Sequence, residues 1–352
     1  MAISWRHIKG HETPTVAAYA TLERELIATA SDAAAETARD KADSGWWRLN
    51  QIRLKTRMLV SQLARRAVTA ARQTVTSSAR TGRETAERDL RARHLTVVQS
   101  RVDEPIAARA VHEVTKSIQA TVPHTIRASD ELYRQTALAI QAQPARSEAH
   151  RLQVGQRVLD RLADNGITGF VDRAGRNWNI TSYVEMATKT VALNAAVDSH
   201  VAVLKAHGQD VVVVLEAHDC CPRCAVWGGR PLSLDGSTGV VDGVQVAGSL
   251  DEARAAGLFH PNCRCRLLMF AAGDDLPAIQ PPSPQLYADR QHLRYLERQV
   301  RAAKRLKAAA MDETAAKKAN AQIRGYQAKI RAHVANSDQQ RMRRREQIGR
   351  AL

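Results

Sequence analysis

Aromatic residues are scarce in this 352-residue chain, at 4%. A β-sandwich core built on rings is therefore disfavoured, and the abundant Ala and Arg point to long helices. Cysteine is scarce too. The five present all lie between Cys220 and Cys265, which excludes a disulfide scaffold spread along the chain and reads as a local metal site. No apolar run approaches the roughly 18 residues a membrane helix needs. The opening Met1-Ala-Ile-Ser-Trp-Arg-His carries no apolar signal-peptide core. G-x-S-x-G, P-loop and H-E-x-x-H motifs are missing, so the common hydrolase, nucleotide and metalloprotease signatures have no footing. Acid is in deficit: 36 Asp+Glu face 52 Lys+Arg, a net charge of +16. A field of that sign expects a polyanion or an acidic protein surface as neighbour.

What is present organises into four stretches. Residues 1–165 read as a helical region. Val16, Tyr19, Leu22, Leu26 and Ala30 recur at helical spacing, as do Leu59, Leu63 and Ala67. Leu95, Val98 and Val102 extend that second stripe up to Asp103, which caps a new helix before Pro105. Ser129-Asp130-Glu131 starts another, with acids at the positive end of the dipole. Ser147 caps a helix carrying Leu152, Leu159 and Leu162, which Asn165-Gly166 ends.

Residues 166–275 read as a small α/β core. A hairpin is expected around Asp172 to Gly175. Ser182 and Glu185 form a capping box, and His207-Gly208 ends the helix that follows. Val211–Leu215 has the unbroken apolar character of a buried strand. Asp242-Gly243 marks a hairpin within 240–246. Ser249 and Glu252 make a second capping box ahead of Gly257, and residues 265–270 form a last strand. Trp178 and Trp227 are expected as core anchors. Residues 276–284 hold a Pro-rich linker, and 285–352 are helical and basic, with 17 Lys+Arg against 6 Asp+Glu. The fold class is α+β, predominantly helical.

The chemistry-bearing residues are His218-Asp-Cys-Cys-Pro-Arg-Cys224 and His260-Pro-Asn-Cys-Arg-Cys265. Cys221-Pro-Arg-Cys224 is a C-x-x-C knuckle, in which two thiolates converge on one tetrahedral ion. His260, Cys263 and Cys265 offer the second half of a structural zinc site. His218 is the weakest candidate of six for four positions, so Cys221 and Cys224 pair with two of His260, Cys263 and Cys265. Reduced buried thiols, a Cys224–Cys263 disulfide and a redox C-x-x-C are the competing readings. His218-Asp219-Cys220 has the residue types of a thiol hydrolase, but sequence neighbours rarely face one another as a triad. Arg341, Arg343, Arg344 and Arg345 are the densest basic point. They read either as a solvated face or as contacts to DNA phosphates or an acidic partner.

An ordered set of segments carries a resemblance. It runs Asp172-Arg-Ala-Gly-Arg-Asn-Trp178, Tyr183-Val-Glu-Met-Ala-Thr-Lys-Thr190, Asn194-Ala-Ala-Val-Asp198, Cys221-Pro-Arg-Cys224 and Trp227-Gly228-Gly229. It continues through Ala255 to Cys265, Tyr287 and Tyr295-Leu-Glu-Arg-Gln299. The chain resembles the minor capsid protein 2 family of tailed bacteriophages, related in its cysteine-containing core to MuF-type head-morphogenesis proteins. The resemblance is strongest over about 165–310. It implies a non-enzymatic virion component at the portal vertex, made in the host cytoplasm and present in multiple copies. Portal protein, major capsid protein and packaged DNA are the implied partners, with no membrane. The family's C-x-x-C pair maps onto Cys221 and Cys224, and its His-Pro-Asn-Cys-Arg element onto His260 to Arg264. The alternative is a nucleic-acid-binding zinc protein. A thiol hydrolase or toxin stands further off.

Overall fold

The computed structural model describes residues 3–4, 13–39, 45–98, 101–143, 146–165, 170–172, 175, 177–215, 219–276, 281 and 283–348. Among them the order is β1 (Ile3–Ser4), α1 (Thr13–Arg39), α2 (Gly45–Ala92), α3 (Asp103–Gln141), α4 (Glu148–Asn165), β2 (Phe170–Val171), β3 (Asn177–Trp178) and α5 (Ile180–Ala206). Then come β4 (Val211–Leu215), α6 (Pro222–Ala225), β5 (Pro231–Ser233), β6 (Val240–Val241), β7 (Val244–Gln245), α7 (Leu250–Ala255) and β8 (Arg266–Met269). α8 (Pro284–Ala308), α9 (Glu313–Ala335) and a 3-10 turn (Arg343–Glu346) close the chain. The fold is predominantly helical α+β, as the composition implies.

The chain forms two compact units. One comprises residues 1–13, 69–116 and 185–288, the other 14–68, 117–184 and 289–352. The first holds a four-stranded antiparallel sheet in the order β1-β8-β4-β5. β4 is the central valine run. Val211 to Val214 are fully buried, so both faces of the strand are covered, and Val211 and Val213 pack with Val241, Val244, Val246 and Phe270. β6 and β7 close through Asp242 and Gly243, both at positive φ, the turn that Asp-Gly favours. α2 and α5 approach closely at Gly82. A Cβ there would sit 1.9 Å from the Ala196 carbonyl oxygen, so only glycine fits.

The second unit is helical apart from the β2–β3 hairpin, whose turn is tied by the Trp178 indole N–H donating to Asp172 at 2.9 Å. Leu293, Leu296, Val300 and Ile330 make the core of α8 and α9. Small residues replace rings elsewhere. Ala30, Ala34 and Ala38 of α1 are buried beside Leu26 and Ile27. Tyr19 donates or accepts at Thr121 over 2.8 Å. Arg151 and Arg305 satisfy the carbonyls of Ala38 and Ala163 at 2.8 and 3.0 Å.

Several local expectations are corrected. α3 runs on through Pro123 and Ser129. Ser129 is buried against Thr56, Asp130 pairs with Arg53 at 3.3 Å, and Glu131 pairs with Arg134, so the polar triplet serves packing and ion pairing inside one helix. α5 starts at Ile180, two residues before Ser182. Asn179 accepts the Ser182 N–H at 3.1 Å, and Glu185 pairs with Lys189 instead of closing a box. α2 stops at Ala92, His94 takes positive φ, and Leu95 and Val98 are exposed. Trp178 and Trp227 are half-buried. Within the Pro-rich stretch, Pro284 opens α8, with Ser283 accepting the Leu286 N–H. Residues 277–280 and Pro282 lie outside the described residues, as do Arg173, Ala174, Arg176 and His218.

Other expectations are met. Ser147 accepts the His150 N–H, and both halves of the Ser249–Glu252 box are made. The α5 helix ends through Gly208 at positive φ, with the Gln209 N–H donating to the Leu204 carbonyl.

Candidate metal centre and basic surfaces

β4 and β8 pair with Leu215 opposite Arg266, so the chain leaving β4 and the chain entering β8 meet at one end of the sheet. The first carries Cys220, Cys221 and Cys224, the second His260, Cys263 and Cys265. Pro222 at the first position of α6 fixes the knuckle, and the N–H groups of Cys224 and Ala225 both donate to the Cys221 carbonyl at 3.1 Å. On the other side Phe259 and Asn262 take positive φ, and the Cys263 N–H donates to the His260 carbonyl at 2.8 Å. Two residues outside glycine in the left-handed region within four positions mark a turn held by its surroundings.

The side chains converge. Cys221 Sγ lies 3.0 Å from His260 Nε2, and Cys224 Sγ lies 3.6 Å from Cys263 Sγ. Cys221, Cys224 and His260 form one group whose ligand atoms lie within 4.8 Å of one another. Cys224, Cys263 and Cys265 form a second, sharing Cys224. Cys224, Cys263 and Cys265 are buried and Cys221 is half-buried. His260 Nδ1 sits 2.8 Å from the Pro261 carbonyl oxygen. That carbonyl can only accept, so Nδ1 carries the proton and Nε2 is left as the lone-pair donor toward Cys221.

The sulfurs share their protons unequally. Hydrogen bonding to Cys263 and Cys265, reinforced by burial and their charge, holds the Cys224 thiol far above its ordinary range. Hydrogen bonds from Cys224 and Cys265 draw Cys263 down to about 3, against the opposing effect of burial. A bound cation inverts that logic and deprotonates every sulfur it touches. Beside the cluster, Arg264 pairs with Asp219 at 2.6 Å. Cys220 is buried but belongs to neither group of convergent ligand atoms.

The four tail arginines are dispersed in role. Arg341 grips Glu346 with Nε and Nη2 at 2.6 and 2.8 Å, and Glu346 is 1% exposed. Arg345 gives its carbonyl to Arg301. Arg344 and Arg345 are half-buried, and Arg343 is exposed.

A denser basic surface lies on α2. From Gly45 to Arg83 there are nine Lys/Arg and not one Asp or Glu. Lys55, Arg57, Arg66, Arg72 and Arg80 are exposed. None of the five makes an ion pair with a described residue. Thr69, Gln73 and Thr76, also exposed, lie among them. Tallying charge in the tail overlooks this helix. A window count of acids, where zero is the signal, finds it.

No described helix is long and apolar enough to cross a membrane. The model of the family described as Phage minor capsid protein 2 matches residues 6–335. No curated protein and no solved structure matches the chain.

Proposed function

The chain belongs to the phage minor capsid protein 2 family, and we propose that within the virion it acts in head assembly beside the portal and the major capsid protein of a tailed phage, touching packaged DNA through its phosphates. Its family role is structural: a capsid component that associates with other virion proteins. The observation that carries the reading is the family match itself, which spans both the Cys/His cluster and the acid-free stretch of α2.

The physical features support the finer assignment. Phosphate contact without base readout asks for fixed cations and neutral hydrogen-bond donors, with no carboxylates to repel the polyanion. The exposed residues of α2 meet that description in each unit: Lys55, Arg57 and Arg66 in the second, Arg72 and Arg80 in the first. The tail contributes Arg343 and leaves Arg341 engaged with Glu346.

Two measurements test the proposal. Mass spectrometry of purified heads, after cross-linking, should find this chain in several copies joined to portal or major capsid protein. Heads without the chain would confine it to transient assembly, and cross-links to neither protein would remove the portal-side reading. Duplex-DNA affinity of the purified chain should fall steeply with salt and show no sequence preference. Changing Lys55, Arg66, Arg72 and Arg80 together to Gln should flatten the log–log slope, by about 0.9 for each phosphate no longer neutralised. Arg343→Gln should flatten it by the equivalent of one phosphate at most. A salt-independent or absent affinity would eliminate the DNA contact.

A further inference from the structure

We propose that Cys221, Cys224, His260 and Cys263 hold one tetrahedral Zn²⁺, and that Cys265 stays off the ion. The spacing of the cysteines leaves the set open; the geometry narrows it. With bonds of about 2.3 Å to sulfur and 2.0 Å to nitrogen, a tetrahedral zinc sets its sulfurs about 3.8 Å apart and sulfur and nitrogen about 3.5 Å apart. The structure holds two contacts close to those edges: Cys224–Cys263 at 3.6 Å and Cys221–His260 at 3.0 Å. They share no atom, so taken as opposite edges of one tetrahedron they name four ligands; Cys263 does not lie within 4.8 Å of both Cys221 and His260, so the ion would have to draw the two edges together. Cys224 ties the two edges together, because it also lies within 4.8 Å of both Cys221 and His260.

One further contact separates Cys263 from Cys265. The Cys265 backbone N–H donates to Cys263 Sγ at 3.4 Å, an N–H···S bond of the kind that orients a ligating thiolate. Cys263 and Cys265 both lie within 4.8 Å of Cys224 and share the second group, so Cys265 is the rival for the fourth position and only the direction of this bond sets the two apart. His260 is pre-set by its Nδ1 contact to the Pro261 carbonyl, which leaves Nε2 as donor. Three thiolates and a neutral imidazole are the ligand types that select zinc among divalent ions available at four-coordinate sites. The ion would join the loop after β4 to the loop before β8 with four protein ligands, so it would be a structural pin with no open position for catalysis. This inference does not rest on the head-assembly reading and survives if that fails.

The test uses the full chain, purified reduced. Elemental mass spectrometry should give one zinc per chain. Exchange with Co²⁺ should give the visible bands of a tetrahedral three-sulfur, one-nitrogen site. His260→Cys should keep the metal and move those bands to longer wavelength, toward the four-sulfur pattern. Cys265→Ser should keep one equivalent and leave the bands where they are. Cys224→Ser should bind none. Absence of metal, or two equivalents per chain, would overturn the proposal. So would a four-sulfur spectrum in the unaltered chain, which would put Cys265 on the ion in place of His260, and so would a Cys263→Ser chain that keeps one equivalent with unmoved bands, which would put Cys265 on the ion in place of Cys263.

Discussion

Two irregular stretches of this protein are held by polar chemistry, and they are held differently. Residues 219–265 bring soft ligands together at one end of a small sheet. Residues 338–347 run back over α8 and α9 through charge-assisted bonds: Arg341 and Gln327 to Glu346, Lys304 to Gln347 and Arg301 to the Arg345 carbonyl. In the first, reactive side chains are collected and the backbone turns strain to collect them. In the second, a basic run supplies its own counter-ion and buries it. The lesson is that a charge count reads neither exposure nor partner. The Arg cluster looks like the basic surface of the molecule, yet Arg341 faces inward to a carboxylate, while the acid-free stretch of α2 from Gly45 to Arg83 leaves five of its cations outward.

The comparison breaks most sharply under chelation. With zinc bound, a strong chelator at neutral pH should lower the melting temperature of the first unit, and Cys224→Ser should reproduce the loss without chelator. Removing a buried ligand should cost several kcal/mol, since metal binding at such sites is folding free energy. The Glu346 region should not respond to chelator. Hydrogen exchange resolved by segment checks both statements at once.

Next in size is the ion pair. Arg341→Ala strands a buried carboxylate and should cost about 3 kcal/mol locally, read as faster exchange over 338–347. Acid should do the same. Burial pushes the Glu346 carboxyl up, but hydrogen bonds from Arg341 and Gln327 and the charges of Arg341 and Lys304 outweigh it, so its folded pKa lies below the ordinary value. A depressed carboxyl stabilises above its unfolded pKa of about 4.3 and loses that contribution as pH falls through the lower folded value. Protection of 338–347 should therefore be flat above about pH 5 and decline below it. Glu346→Gln should remove that decline and lower the plateau.

The difference in legibility between the two stretches has a physical origin. Cysteine and histidine at knuckle spacing are rare enough that their positions alone announce convergence. The Val211–Leu215 strand, the Asp242-Gly243 turn and the Ser249 box are equally local, and each is made. Arg341 and Glu346 are five apart, a spacing that no helix face brings together, so only the 3-10 turn between them explains the pair. β1 joins Ile3 to Leu267 across most of the chain, which no window can read. The Ser182–Glu185 pattern fails because Asn179 competes for the same helix start and wins by offering its carboxamide oxygen one turn earlier. Ser129 fails as a start because burial against Thr56 gives its hydroxyl a tertiary partner.

The smallest effect sharpens the comparison furthest. Ser249 Oγ accepts the Glu252 N–H at 3.1 Å and Glu252 returns the bond to the Ser249 N–H at 2.8 Å, opening the short helix whose end at Gly257 leads into His260. Ser249→Ala should cost about 1 kcal/mol, the usual value of a missing N-cap. If the metal pins both loops by itself, that cost should be the same with and without chelator, because separated contributions add within about 0.5 kcal/mol. If α7 instead positions His260 for the ion, Ser249→Ala should also weaken metal binding, and the two effects combined should exceed or fall short of their sum. Urea melts of the four combinations decide whether the knuckle is a pin set on a finished fold or one that needs the capped helix to bring its histidine within reach.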